Sequence, residues 1–385
     1  SSDRLSTNVK NTNFTAAEKQ DLTDDILPLA GQLGNRNLII NGAMQVAQRG
    51  TSSTSDSYQT VDRFRIATNS VDEAPTQAQV DVTSGTEPFT KGLRKAFRIT
   101  NGNQTSGAGV VDTIHAIYTI EDQDLANSGW NHKSSSSYIT LSFYVKSSVA
   151  QNFFFFLQSD NGSQFRYVME TGSLSADTWT KITKTIPGNT NIVLNNDNGI
   201  GMYIVWPQFD GTDRTGTRPL NAWAALDNTS RTPDQTSTWY TTDNATWEIT
   251  GIQLEVGSVA TDFEHRSFAQ ELVLCQRYCQ KLGATDDQYG AMGIGAGIYN
   301  TQAFVPYRLV TRMRSTPSFT LLGSASDFTY IRDGGFYNPN SIALDTATKA
   351  MMNLVMTVST GISHDEAIRL WNNNTTGGFL FTAEL

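Results

Sequence analysis

The stretch "YITLSFYVKS", Tyr138–Ser147, constrains the structure this chain can adopt more tightly than any other. Ile139, Leu141, Phe143 and Val145 alternate with Thr140, Ser142 and Lys146. A period of two puts the first set on one face and the second on the other, as an extended strand does. In a helix the same apolar residues would split between two opposite sides. Further short apolar runs ("GMYIVWPQF", "TWEITGIQLEVG", "AFVPYRLV", "FTYIR", "NLVMTVST") are separated by segments rich in Gly, Asn and Asp. Many short strands punctuated in this way predict a mainly β chain with a jelly-roll-like sandwich.

Composition agrees with that reading. Hydrophobic residues make up 38% and charged residues 17%, the remainder being dominated by the small polar residues of turn-rich β proteins. The net charge of −9 and the lack of any basic run argue against a nucleic-acid partner, since neutralising phosphates takes clustered Lys and Arg. No apolar run approaches the about 20 residues of a membrane helix, so membrane insertion is not expected. The opening "SSDRLSTNVK" lacks the layout of a secretion signal. Cys275 and Cys279 are spaced for one helix face, not for a disulfide, and read as small buried apolar groups in a protein made in a reducing cytoplasm.

Four segments follow. Residues 1–36 form an N-terminal docking arm. Thr15 and Glu18 have capping-box spacing for a short helix from Ala16, and Leu22, Ile26 and Leu29 recur at seam-like intervals until Pro28 and Gly31 interrupt them. With Phe14 these are the anchoring candidates, either on a short amphipathic helix or on a segment that orders against a partner. Residues 37–266 form the sandwich, opening with a hairpin signal at Asn41-Gly42. Within it "NFFFFLQ" sets Phe153, Phe154, Phe155 and Phe156 in a row. Such a run is covered on both faces by its own chain, or its outer face meets another subunit, which makes it the candidate trimer interface. The parity of Trp247 and Ile249 differs from that of Ile252, Leu254 and Val256, predicting a β-bulge at Thr250-Gly251. Residues 267–283 read as a connecting helix, capped by Ser267 and Gln270 and stopped by Gly283. Residues 284–385 form a smaller distal β-domain.

Candidate chemistry is sparse. Asp262, Glu264, His265 and Arg266 crowd together, but alternate residues of an extended segment face opposite ways. The cluster is expected to be a charged strand-to-helix joint. His364, Asp365 and Glu366 fall in a capped turn, His115 in an apolar strand and His132 in a loop. "GAMGIGAG" lacks the Gly-Lys-Ser/Thr of a phosphate loop and leads into a strand. No cofactor is expected. The single ion-binding alternative is a structural calcium at "NNDNG", which otherwise makes an Asx-type turn. Aromatic rings on polar loops can stack on sugars or simply pack the rim. Trp223, Trp239 and Tyr240 are candidates in the sandwich; Tyr330, Phe336, Tyr337 and Trp371 are candidates on the distal turns.

Several blocks carry a resemblance. "NLIINGAMQVAQRGTS" with "DRFRI", then "ITGIQLEVGSVATDFEHRSFAQELVLCQRYCQKL", then "TRMRSTPSF" and the final "FTAEL" resemble bacteriophage tail-fibre and receptor-binding proteins. The resemblance covers residues 37 to about 320 and the last few, and it supplies no catalytic residues. It implies a carbohydrate-binding-module-like sandwich in a homotrimeric virion fibre. Such a fibre is made in the host bacterial cytoplasm, attached to other virion proteins through its N-terminus, and bound to host surface polysaccharide. The alternatives are a tailspike that depolymerises or deesterifies glycan, and a capsid-decorating head fibre with no receptor role.

Overall fold

A computed structural model describes residues 35–283, 290–359 and 361–385. Phe14, Leu22, Ile26, Leu29 and the helix expected from Ala16 lie outside the described residues. The sandwich contains β1 (Ser52–Ser53), β2 (Phe64–Asn69), β3 (Thr76–Asp81), β4 (Lys95–Thr100), β5 (Thr113–Glu121) and β6 (Tyr138–Ser147). It continues with β7 (Asn152–Ser159), β8 (Phe165–Ser173), β9 (Thr180–Pro187), β10 (Ile200–Asp210), β11 (Trp223–Ala225) and β12 (Thr246–Val256). Short helices α1 (Glu87–Thr90) and α2 (Asp122–Ala126) interrupt the strands. Two six-stranded sheets result, in the orders β1-β3-β4-β12-β6-β9 and β11-β8-β7-β10-β5-β2. Every pairing in them is antiparallel. The chain is mainly β, as its alternation predicts.

The core lies between the sheets. Ile139, Leu141, Phe143 and Val145 all enter it, and the Phe143 ring meets the edges of Phe155 at 5.1 Å and Trp206 at 5.8 Å. The bulge in β12 lies where the parity change requires. Thr250 faces Tyr144, but the next pair is Gln253 with Ser142, so Ile249 and Ile252 both reach the core. Gly251 takes φ +62, and a Cβ there would sit 2.6 Å from Leu93 Cδ1. Both facts favour glycine.

Two local expectations need correction. Asn41-Gly42 turns sharply, but its flanking runs do not pair as a hairpin. Leu38 N instead donates to Leu254 O (2.9 Å), and Ile252 N donates to Gly42 O (3.0 Å). The Asn37 and Asn41 side chains bond to the backbone of β12 and to Val46 and Asp62, fixing the segment against its neighbours. The connecting helix, α3, spans only Phe268–Gln276. Its capping box of Ser267 and Gln270 forms, but Cys279–Gly283 is a strand, β13, paired with the C-terminal strand. Cys279 and Leu282 fit a helical period by coincidence; the ladder available from the chain end decides the outcome. Both cysteines are free and buried.

The remaining strands are β14 (Ala291–Tyr299), β15 (Gln302–Arg308), β16 (Ser318–Leu322), β17 (Phe328–Arg332) and β18 (Gly335–Tyr337). They are followed by β19 (Ser341–Ala347), β20 (Met351–Thr357), β21 (Ala367–Asn372) and β22 (Gly378–Thr382). A three-stranded sheet, β13-β22-β16, covers a seven-stranded one, β18-β17-β21-β14-β15-β20-β19. Phe379 joins them by stacking on Phe328 at 5.2 Å and meeting the Tyr307 edge at 5.4 Å. Among the described residues no helix is long and apolar enough to cross a membrane.

The segment leaving β12 is held to the start of the sandwich by a polar joint. Glu264 accepts from Asn35 N and Asn37 N at 2.9 and 2.7 Å, Arg266 donates to Asn37 O and Ile39 O, and His265 contacts Lys91 O at 2.8 Å. These side chains are spent on holding backbone. Nearby, Arg63 is 1% exposed and lies 3.5 Å from the Tyr278 ring centroid. Its Nη1 donates to Glu384 (2.6 Å) and its Nη2 to Thr119 O (2.7 Å). Arg314 donates to Asn198 O and Glu384 O, tying the chain end to both domains. Removing one partner of a buried pair strands the other, so Arg63→Ala is expected to cost about 3–5 kcal/mol in urea unfolding.

The joint also sets a pH response. Burial raises the Asp62 carboxyl to about 6 against the opposing pull of Arg49 and Gln48. A carboxyl raised in the fold stays protonated where the unfolded chain has ionised. Its stabilising contribution is full below the ordinary 3.8 and is lost as pH rises through about 6. Asp62→Asn is therefore expected to flatten the fall in stability across that window, measured as the difference between the two unfolding curves.

Candidate functional site

The outer face of the second sheet carries a groove of about 270 Å³. Period-two geometry makes it inevitable that β7 and β10 contribute to core and groove alternately. Met202, Ile204 and Trp206 point into the core, leaving Tyr203 and Val205 outside. Across β2, β5, β10, β7 and β8 one row runs Arg65, Ile117, Val205, Phe156, Val168. The neighbouring row, from β5 to β11, runs Thr119, Tyr203, Gln158, Arg166, Ala224. The first row is a buried apolar layer beneath the groove, none of its apolar members more than 7% exposed, with one cation at its edge; the second gives a phenol, an amide and a guanidinium. Asn228 and Arg231, from the excursion between β10 and β12, complete the lining.

Polar contacts hold this lining in place. Gln158 Oε1 accepts from Arg166 Nη2 (2.7 Å), whose guanidinium lies 4.3 Å above the Phe156 ring. Asp210, fully buried, accepts from Arg231 Nη1 at 3.2 Å and contacts His115 Nε2 at 2.9 Å. Burial, with Arg218 and Arg231 nearby, pulls Arg166 down to about 9. Burial and the adjacent Asp160 push the Tyr203 hydroxyl up to about 12, so it stays a neutral donor. Rigid hydrogen-bonding groups around the half-buried Tyr203 ring, set over a buried apolar layer, suit a polyhydroxylated ligand.

The aromatic candidates fare differently. Phe153 and Phe155 enter the core, Phe156 packs with Val168, Val205 and Leu220, and Phe154 is 8% exposed. The run is covered on both faces within one chain, which removes it as a trimer interface. Trp239 and Tyr240 are core residues too. Trp239 Nε1 donates to Thr246 O at 3.1 Å, and the Tyr240 ring stacks on Phe209 at 4.3 Å with its hydroxyl on Asp112. Neither can touch a ligand. Trp223 is half-buried at the sandwich edge, its Nε1 donating to Pro187 O. In the distal domain Tyr330 is buried beneath Tyr337, while Phe336 and Tyr337 are exposed and Trp371 is half-buried. The contact among these four rings is the Tyr330–Tyr337 stack at 5.4 Å.

The lining residues Tyr203, Gln158, Arg166 and Arg231 escaped sequence reasoning. A usable signal existed in "GMYIVWPQF": Tyr203 has the parity opposite to Met202, Ile204 and Trp206, so it faces away from their side. "NNDNG" makes a tight turn, with Gly199 N donating to Asp197 Oδ1 at 2.7 Å. Among the described residues no group of three His, Cys, Asp or Glu gathers to hold a metal ion.

No protein-family model matches the chain, and no curated protein matches its sequence. The enzymatically active domain of tailspike protein 4 from bacteriophage CBA120 aligns with TM-score 0.32 and 8% identity. That match covers 57% of this chain and 21% of the tailspike chain. A sugar-binding protein from Bacteroides thetaiotaomicron gives TM-score 0.30 and 12% identity, over 58% of this chain and all, 100%, of the other. A family 11 carbohydrate-binding module from Clostridium thermocellum gives 0.24 and 12%, over 55% of this chain and 98% of the module. Likenesses this loose decide nothing about residues, and the groove stands on its own geometry. Because Trp239 lies in the core, Trp239→Ala should lose about 3–5 kcal/mol in chemical denaturation.

Proposed function

We propose that this chain is a structural virion fibre protein of a bacteriophage that binds host cell-surface glycan, and that the groove on the second sheet is where the sandwich holds it. The observation that carries the binding role is the groove itself. A half-exposed Tyr203, the Gln158 amide and the Arg65 and Arg231 guanidinium groups converge on one open face above a buried apolar layer. Support for a binder that cleaves nothing comes from the joint, where Glu264, His265 and Arg266 are consumed by backbone contacts. The phage assignment, trimeric assembly and attachment through residues 1–36 belong to the same proposal and rest on the sequence resemblance. The phenylalanine run no longer supports the trimer. A second contact surface is favoured by the exposure of Phe336 (75%) and Tyr337 (41%) in the distal domain.

The test is binding of the full chain to arrayed bacterial surface polysaccharides, with a parallel assay for new reducing ends or released acetate. Binding without product is expected. Tyr203→Ala should weaken it about tenfold, or about 1.4 kcal/mol. Unchanged binding in that variant, with loss in Phe336→Ala, moves the site to the distal domain. Product release refutes the adhesive reading.

A further inference from the structure

We infer that the groove selects an anionic saccharide, its carboxylate or phosphoryl oxygens received by Arg65 and Arg231. The inference deepens the glycan-binding reading and rests on it. The chain as a whole carries −9, yet the groove gathers Arg65, Arg166 and Arg231 against Asp160 and the buried Asp210. Three cations less two anions leave a local excess of one, before His115 is counted.

How these charges are partnered matters more than their sum. Arg65 stands at the end of the apolar row, half-buried, with the Tyr58 ring at 6.0 Å as its neighbour and, among the described residues, no carboxylate paired to it. Arg231 shares the carboxylate of Asp210 with His115. Arg166 is 2% exposed, and its acceptors are all neutral: Gln158 Oε1, Asp227 O and Asn228 Oδ1. A buried cation whose hydrogen bonds all go to neutral groups, with Asp210 and Asp227 acting on it only through space, raises the energy of the empty groove. An anion arriving in the groove lowers it.

The geometry also says which end of the ligand is charged. Arg65 and Arg231 keep guanidinium surface at the groove, and a guanidinium presents paired donors matched to a carboxylate or phosphate edge. Asp160, bonded to Gln164 at 3.1 Å and beside Tyr203, repels an anion from its own part of the groove. The sugar hydroxyls fall there, and the charge falls towards the arginines.

Polygalacturonate and its fully methyl-esterified form share a backbone and differ in charge, so they make the decisive pair of probes. A phosphorylated and a sulfated polysaccharide, each with its neutral counterpart, identify the source of the anion. Calorimetry on the full chain is expected to show at least one acidic probe bound about tenfold or more tighter than its neutral counterpart. The preference should collapse towards 1 M salt, where screening acts within about 3 Å. Arg65→Ala and Arg65→Glu should erase the preference while the protein keeps its unfolding curve, and Arg65→Lys should restore part of it. Equal affinity for acidic and neutral members of every pair overturns the inference and leaves the glycan-binding reading intact. Absence of binding to any polysaccharide, charged or neutral, overturns both.

Discussion

One buried guanidinium, that of Arg63, sets how the two halves of this protein are joined. It is enclosed by the Tyr278 and Tyr118 rings and bonded to Thr119 O in the sandwich and to Glu384 at the chain end. Its backbone adopts φ 73, a left-handed conformation that a non-glycine residue takes only when its surroundings hold it there. Dehydrating a cation costs several kcal/mol, and the return is geometric: Glu384 fits only if the last strand of the distal domain ends beside β2 and β5. Arg49 binds the same carboxylate at 2.9 Å, and Glu121 takes Arg277 Nε at 2.8 Å. The joint is therefore a network in which each charge depends on a partner from a distant stretch of sequence. It orients the distal sandwich by electrostatics where the two apolar cores do not merge.

This arrangement ties the distal domain to the sandwich at both of its ends. β13 leaves α3 and pairs with β22, and the residues after β22 return to the sandwich. Cutting the chain after Leu282 would remove Glu384 from two buried arginines as well as the distal loops. A loss of adsorption after such a cut would not locate a receptor site. Point changes on the groove and on Phe336 separate the two surfaces without opening the joint.

What the sequence disclosed follows from the range of the interactions involved. Alternation in Tyr138–Ser147, the parity break at Thr250-Gly251 and the Ser267–Gln270 cap are settled within a few residues, and all three stand in the structure. The Asp262–Arg266 joint was also legible, because alternate side chains on an extended segment cannot converge. Phe153 to Phe156 were not, since an apolar run looks the same whether its outer face meets another subunit or the chain's own Leu220. Trp239 and Tyr240 are opaque for the converse reason: polar neighbours in sequence give no sign that both rings turn inward. The groove was least accessible of all. Arg65, Gln158, Tyr203 and Arg231 come from separate segments, and only the strand order places them on one face.

The same pleat that hid the groove explains its rigidity. β7 and β10 lie in the middle of their sheet, so neighbouring strands flank them on both sides. Phe155 and Phe156 are consecutive, one locked against Phe143 in the core and the other in the floor. Neither can shift without moving its neighbour through the backbone. Gln158 and Arg166 are likewise clamped to each other before any ligand arrives. A surface ordered in advance loses little conformational entropy on binding, so even a few polar contacts to a flexible, well-hydrated sugar chain yield net affinity. The loop from Gly211 to Thr232 then serves two ends at once: Leu220 seals the outer phenylalanine face, and Arg231 stands over the rim. Covering an aromatic strand and furnishing a binding wall are, in this fold, one structural act.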